Sequence, residues 1–563
     1  MSSDLTTVRL EQLGPIVTGK TPPKSIDKAF DQCGTPFITP KDMDGRKWID
    51  ATERYLSDLG LDAVKKSIVP RCSVAVSCIG SDMGKAVLVD CDSVTNQQIN
   101  TILVDSEKWN PEYIYYLLTT KQQLLKDIAG GSATPILNKG HFGKVEIDVP
   151  SKELQDQAAK VLSAFDEKIR LNTQLNQTLE QIAQAIFKSW FVDFEPVKAK
   201  IAVLEAGLPA PVRISDGPRE GIFCTYVIEC DDGSYYIGQT DNLKRRWREH
   251  LSGKGAQWTR THKPLQIAHF EENSSREEAV AKEKNWKTTS GRRELKKLIA
   301  SGAARQAGGT AEQAELAAMS VISAKDEAAL KQLQAEQPGA YAELAQTAAL
   351  FPSAMVDSEL GEIPEGWEIT AISEFGKVVC GKTPSKKKHE YYGSDAPFIK
   401  IPDMHGNVFA TNTSEFLSAQ GAASQPKKAI PKGSVCVSCI ATVGQVVIAS
   451  KESHTNQQIN SIVPAKESYT PYLYFSMKMK YKLLHDLASG GSTTLNLNTG
   501  NFSKIKTLLP KESALNAYQR YALPLLTTIY ENVCQNHALS DTRNSLLPKL
   551  LAGHLPITNT EVA

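Results

Sequence analysis

A chain of 563 residues is too long for one hydrophobic core and predicts several domains, which excludes a single compact unit. Its composition, 41% hydrophobic and 23% charged, is that of a soluble globular protein. With 64 Lys+Arg against 63 Asp+Glu the net charge is +1, so no whole-chain basic excess signals nucleic acid and any basic face must be local.

Met1 to Leu13 carries Asp4 and Glu11 and lacks the apolar core of a signal peptide. No later segment reaches the about 18 uninterrupted apolar residues of a membrane span, so a cytoplasmic protein with no membrane role is expected. The 10 cysteines are scattered and read as reduced, buried small hydrophobes. Cys436-x-x-Cys439 has metal-like spacing, but Gly433 to Ile440 reads as a buried strand and no second pair completes a zinc site.

The organising feature is self-similarity. Gly19-Lys-Thr-Pro22 returns as Gly381-Lys-Thr-Pro384, Ser77-Cys-Ile79 as Ser438-Cys-Ile440, and Thr95-Asn-Gln-Gln-Ile-Asn100 as Thr455-Asn-Gln-Gln-Ile-Asn460. Gly130-Gly-Ser132 returns as Gly490-Gly-Ser492, with Phe142 and Phe502 following, and the offset drifts only from 362 to 360. Each copy predicts short β-branched strands, such as Ser73 to Ile79 and Ala86 to Val89, then a helix near Pro111 to Ile128. The fold class expected is mixed α/β, with two similar modules.

Gly14-x-x-x-x-Gly19-Lys20-Thr21 and Gly376-x-x-x-x-Gly381-Lys382-Thr383 match the phosphate-loop pattern. That loop needs the Lys-Thr to open a helix, whereas Pro22-Pro23 and Pro384 follow at once and push the preceding residue out of the helical region. Nucleotide hydrolysis is therefore not expected.

After each copy comes a helix with apolar residues at 3-4 spacing. In the first, Leu154, Ala158, Val161, Phe165, Leu175, Leu179, Ile182 and Ile186 form the expected seam, interrupted by Lys168 and Asn172, the latter suited to fixing register. In the second, Ala514, Tyr518, Leu525, Ile529, Val533, Leu546 and Leu550 form a less regular seam that Pro524 should kink. A helix of about 33 residues spans roughly 50 Å. Paired antiparallel, two such helices suit reading heads about one DNA turn apart, roughly 34–36 Å.

Between the halves, residues 220–300 change character: 15 Lys+Arg against 12 Asp+Glu, with Trp247, Trp258 and Trp286 among them. The order Thr225-Tyr226-Val227, Tyr236-Ile237-Gly238, Asn242 to His250, then Glu278 to Lys287 resembles the GIY-YIG nuclease domain, particularly small stand-alone members with a stretch like Trp258-Thr-Arg260. Thr225 stands where that family begins with glycine, and no late asparagine of larger members is evident.

The residue types suit phosphodiester hydrolysis, which needs an activated water, a cation for the charge on phosphorus and a carboxylate for a metal. Tyr226 and Tyr236, on paired strands, can converge on one phosphate, one of them assisting deprotonation. Arg246 and His250 share one helix face at i and i+4. The resemblance makes Glu283 the metal ligand, with Mg²⁺ the expected ion for a hard oxygen donor.

Phe187-Lys-Ser-Trp-Phe-Val-Asp-Phe-Glu-Pro196, Val356 to Trp367, the Gly-Lys-Thr-Pro starts, the Thr-Asn-Gln-Gln segments and Leu546 to Gly553 resemble the DNA-specificity subunit of type I restriction-modification systems. The resemblance implies two target-recognition domains that read a bipartite double-stranded DNA site, and spacer helices that dock modification (methyltransferase) subunits and through them the restriction subunit. No Gly-rich methyl-donor loop or Asn-Pro-Pro-Tyr tetrapeptide is found.

The domains read as 1–150 (first recognition), 151–200 (spacer helix), 201–219 (linker), 220–300 (guest), 301–355 (Ala/Glu/Gln-rich, partly helical linker), 356–510 (second recognition) and 511–563 (spacer helix and tail). Lys386, Lys387 and Lys388 form a basic loop suited to DNA phosphates, a role a solvated turn matches equally. The shared amides of Thr-Asn-Gln-Gln favour a structural role, since half-sites should differ. Two alternatives stay open: a self-contained site-directed nuclease without partners, and a purely DNA-binding subunit whose guest is inert.

Overall fold

The computed structural model describes residues 5–80, 82–129, 136–206, 223–300, 309–489 and 495–554; the repeated Gly-Gly-Ser segments at 130 and 490 and the stretch 207–222 lie outside them. The chain divides into two compact units, Met1–Asn176 with Glu531–Ala563, and Gln177–Tyr530.

In the first unit the central sheet has the strand order Ile16–Thr18, Ile99–Ile102, Val74–Ser77, Ala86–Val89, Trp48–Ile49, antiparallel except for the last pair. Val74–Ser77, Ala86–Val89 and Ile99–Ile102 are buried at every position, so they read as apolar runs without alternation. On one face Val74, Val76 and Leu88 meet Tyr113, Ile114 and Leu118 of a helix. On the other, Ala75, Val87 and Val89 pack with Ile38, Met43 and Val69, residues in or near a second sheet. The helix expected over 111–128 is broken into Pro111–Thr119 and Gln122–Ile128; Asn110 caps the first with Pro111 at its first position.

The long helices are Lys152–Phe191 and Glu512–Leu551, each 40 residues and so about 60 Å, longer than expected. In the first unit they run antiparallel. Asn172, buried on the seam, donates to Gln535 Oε1 (2.7 Å) and Asn536 Oδ1 (2.8 Å), Asn532 donates to Asn176 (2.8 Å), and Asp166 pairs with Arg543.

The expected first seam needs correction: Leu175 and Ile182 are 46% and 44% exposed, while Asn172, Ala183, Phe187 and Trp190 are buried. On the second helix Ala514, Tyr518, Ile529 and Leu550 are buried as expected, with Leu526 taking the place of Leu525. Pro524 does not interrupt the helix.

The second unit repeats the sheet order with Gly376–Cys380, Ile459–Pro464, Val435–Ser438, Val446–Ala449 and Phe409–Ala410, the last pair again parallel. Here Phe187, Trp190 and Phe191 end the first long helix in an aromatic cluster with Phe351, Trp367, Tyr472 and Tyr518. This cluster accounts for the aromatic run at 187–194. The stretch read as a partly helical linker holds three helices, Ala311–Ser323, Glu327–Glu336 and Pro338–Ala348, around Ala318, Met319, Leu330 and Leu344.

Helix Glu195–Leu204 packs on the first of these, with buried Lys200 donating to Glu315 (2.6 Å) and to the Phe351 carbonyl (2.8 Å). The Gly309 amide donates to the Val203 carbonyl (2.8 Å), so the chain returns to the host beside the point where it left. The guest is a three-stranded antiparallel sheet, Tyr235–Thr240, Phe223–Cys230, Pro264–Asn273, carrying helices Leu243–Leu251, Gln257–Thr261, Arg276–Lys287 and Thr289–Ala300. Among the described residues no helix is long and apolar enough to cross a membrane.

Candidate functional site

The guest sheet places the two tyrosines diagonally on one face: Tyr226 pairs with Gly238 and Tyr236 with Ile228, with ring centroids 6.2 Å apart. Gly238 is required because a Cβ there would lie 2.7 Å from Tyr226 Oη, so the phenol crosses directly over it. Asn242 caps helix Leu243–Leu251, whose Arg246 and His250 both reach that phenol. Arg246 Nε donates to Tyr226 Oη (3.2 Å), and Tyr226 Oη lies 2.9 Å from His250 Nε2.

Behind the cluster, His250 Nδ1 lies 2.6 Å from Thr259 Oγ1, whose own proton goes to the Ala256 carbonyl (3.0 Å). Thr259 must then accept, which puts the imidazole proton on Nδ1 and leaves Nε2 to accept from Tyr226. Burial, helped by Arg246 and opposed by Glu249, pushes the His250 pKa down to about 4, so the ring is neutral and its Nε2 lone pair faces the phenol. Burial and then Tyr236 hold the Tyr226 phenol above its ordinary range, with Arg246 opposing. Burial works against the Arg246 charge, yet the Glu249 carboxylate (2.7 Å) and Tyr226 keep the guanidinium firmly protonated.

Four of the five expected residues therefore meet. Glu283 is hydrogen-bonded outside the cluster: on helix Arg276–Lys287, between buried Ala279 and Trp286, it binds Lys287 (2.5 Å). Lys287 lines a groove of about 770 Å³ with Tyr236, Trp258, Arg292, Arg293 and Lys296. Trp258, 46% exposed, stacks on His262 with centroids 4.1 Å apart. The Thr225 hydroxyl bridges strand and helix, donating to the Ala279 carbonyl (3.1 Å) and accepting from Asn273 (3.0 Å).

Sequence reasoning missed Thr259, which sets the histidine tautomer, and Gly255, where a Cβ would lie 2.4 Å from His250 Nδ1. It also missed the groove cations. The signal available was the run Arg292-Arg293 with Lys296 in one helix. Among the described residues no group of three or more His, Cys, Asp or Glu comes together as a metal cage.

The Gly-Lys-Thr loops are clasps, since neither opens a helix. The Lys20 amide donates to the Thr95 carbonyl and Thr21 Oγ1 to Gln97 Oε1 (2.6 Å). Lys382 and Thr383 do the same with Thr455 and Gln457, again at 2.6 Å. Gly19 and Gly381 allow the loop backbone against the Thr-Asn-Gln turn: a Cβ would lie 2.1 Å from the Asn96 carbonyl oxygen or 2.2 Å from that of Asn456.

Cys436 and Cys439 are buried in and beside strand Val435–Ser438, and burial pushes their thiols up to about 12 and about 11. Lys386, Lys387 and Lys388 are exposed, with Lys388 turned onto the Tyr391 hydroxyl (3.0 Å).

Residues 2–181 and 364–531 match the type I restriction modification DNA specificity domain, and residues 222–297 match the GIY-YIG catalytic domain. The HindI specificity subunit of Haemophilus influenzae is 35% identical over 550 residues, covering 94% of this chain and 97% of that protein. A UPF0213 protein of Streptococcus pneumoniae is 48% identical over 58 residues, 10% of this chain and 59% of its own. A crystal structure of a type I S subunit from M. genitalium overlaps 99% of this chain and 97% of that chain at 12% identity, with a TM-score of 0.46. Matched in both halves and aligned with a curated relative over nearly its whole length, the chain belongs to the DNA-specificity subunit family of type I restriction-modification systems and carries a GIY-YIG domain between its halves.

Proposed function

We propose that this chain reads a bipartite double-stranded DNA site through its two modules, docks modification and restriction subunits through its long helices, and hydrolyses DNA phosphodiesters in its guest domain. The observation that carries the nuclease reading is the chain of hydrogen bonds from Tyr226 through His250 to Thr259, with Arg246 on the same phenol.

Tyr226 takes a proton from the attacking water as its own passes to neutral His250. The water oxygen then bonds phosphorus, the P–O bond to the leaving strand breaks, the departing oxygen takes a proton from solvent, and His250 releases the one it holds, so the buried ring returns to neutral. Arg246 faces the charge that builds on the phosphoryl oxygens, where a fixed cation is worth most. Tyr236 and the groove cations hold the phosphate backbone beside this cluster.

Glu283 would hold Mg²⁺ through its carboxylate in place of its present ion pair with Lys287. Bound there, the ion would supply further neutralisation of phosphoryl charge. The docking reading is supported by Leu171 and Leu175, 48% and 46% exposed on the first long helix, apolar surface that a partner helix would cover.

The test is supercoiled plasmid with Mg²⁺, incubated with the parent chain and with Tyr226→Phe and Glu283→Ala. The parent should nick or linearise the plasmid, and each variant should be slower by about 10²-fold or more. No cutting by the parent, with DNA binding intact, would leave a reader with an accessory domain. Co-purification with a modification subunit distinguishes a docked subunit from a self-contained nuclease.

A further inference from the structure

The helix that carries Arg246 and His250 turns its opposite stripe to the host. Lys244, Trp247, Arg248 and Leu251 recur at i, i+3, i+4 and i+7 and so share one face. Trp247, buried, donates its indole N–H to the Leu204 carbonyl (3.0 Å). Arg248 Nε donates to Glu205 Oε1 (2.5 Å), its Nη2 pairs with the same oxygen, and Lys244 Nζ stands 3.6 Å from Oε2.

Leu204 ends helix Glu195–Leu204, where the last carbonyls lack partners within the helix; the Trp247 indole supplies one. An acid at a helix C-terminus faces the wrong end of the dipole, and the Glu205 side chain is only 12% exposed. Within the host this residue is misplaced. It makes sense only against the two cations that the guest brings to it.

The helix so gripped belongs to the host, pinned through Lys200 to Glu315 and the Phe351 carbonyl. Along the same face Lys254 pairs with Glu365, which lies in the turn before Trp367 and lines one pocket with Leu204 and Arg248. A continuous set of bonds thus runs from the host to the residues flanking Arg246 and His250.

We infer that Glu205 and Trp247 are positioning residues for the nuclease centre: the host fixes helix Leu243–Leu251, so the guest cuts at a set displacement from DNA held by the second module. The inference rests on the nuclease reading for its cutting arm and on geometry alone for its anchoring arm.

The test uses the full chain with Glu205→Ala and Glu205→Gln, followed by hydrogen exchange and by mapping of cut ends on linear DNA. Exchange over 244–251 should rise about tenfold or more in Glu205→Ala, with helix Arg276–Lys287 unchanged, and cut ends should spread from one cluster into many. Should Glu205→Ala open the whole guest, Glu205→Gln, which keeps the volume, must still raise exchange over 244–251 above that in 276–287. Equal rises, unchanged protection over 244–251, or cuts already scattered in the parent overturn the inference. A parent that does not cut defeats the nuclease reading, and the exchange result still decides the anchoring.

Discussion

The two modules carry the same central sheet in the same strand order, the same clasp of Thr21 on Gln97 or Thr383 on Gln457, and the same buried Phe142 or Phe502. They part company in the second sheet. The first module builds five short strands there, whereas the second has three, one of them Tyr392–Ile399, preceded by the lysines at 386–388. The duplicated parts bury apolar side chains and close loops, which any half-site would require equally. The divergent sheets differ in strand number around a buried parallel pair, Val94 with Phe37 or His454 with Phe398. On the proposed reading, differences in DNA readout belong to the exposed loops beside them, such as that of Lys386 to Lys388.

The largest effect should come from the shared clasp. Gly19→Ala and Gly381→Ala each drive a methyl into a carbonyl oxygen at about 2 Å, so each should destabilise its own module by about 3 kcal/mol or more. Urea unfolding, with exchange read separately in each module, checks it. A large loss in one module and none in the other would break the equivalence of the two loops.

A smaller effect sharpens a difference. His454 occupies the strand position that Val94 holds in the first module, each paired in parallel with a phenylalanine, Phe398 or Phe37. Burial pushes the His454 pKa below its usual 6.5, with Glu452 opposing. The folded state therefore binds fewer protons than the unfolded chain, and stability held above pH 6.5 is lost as pH falls. On acidification the second module should weaken, and His454→Val should remove that dependence and leave the first module unaltered.

The smallest effect concerns the exposed lysines. Lys386→Ala with Lys387→Ala should lower the salt slope of DNA binding by about 2, and Lys24→Ala, at the exposed lysine after Pro22-Pro23 in the first module, by about 1, if each holds a phosphate. An unchanged slope would return that loop to a solvated turn.

The modules and the guest cluster were legible because they depend on strand pairing and on i, i+4 spacing, which the sequence displays directly. The helix seam was legible only at its ends. A strict 3-4 reading advances by 3.5 residues per turn, and a straight helix drifts about 20° per heptad away from it. Over 40 residues that drift carries Leu175 and Ile182 out to solvent and brings Asn176 and Ala183 toward the core. Thr259, Gly255 and Glu205 lay beyond reach for another reason. Each matters through a partner distant in the fold, and no local pattern marks a threonine that orients a histidine or a glutamate that answers a guest's arginine.

The hydrogen bond from Gly309 to Val203 makes the junction a splice point. The host backbone meets itself across that bond whatever is threaded between, so gaining or losing a domain there need not disturb the path of either neighbouring helix. A guest domain can be exchanged at such a joint much as an exon is, with the host fold inherited unchanged and the grip of Glu205 as the feature a newcomer would have to match.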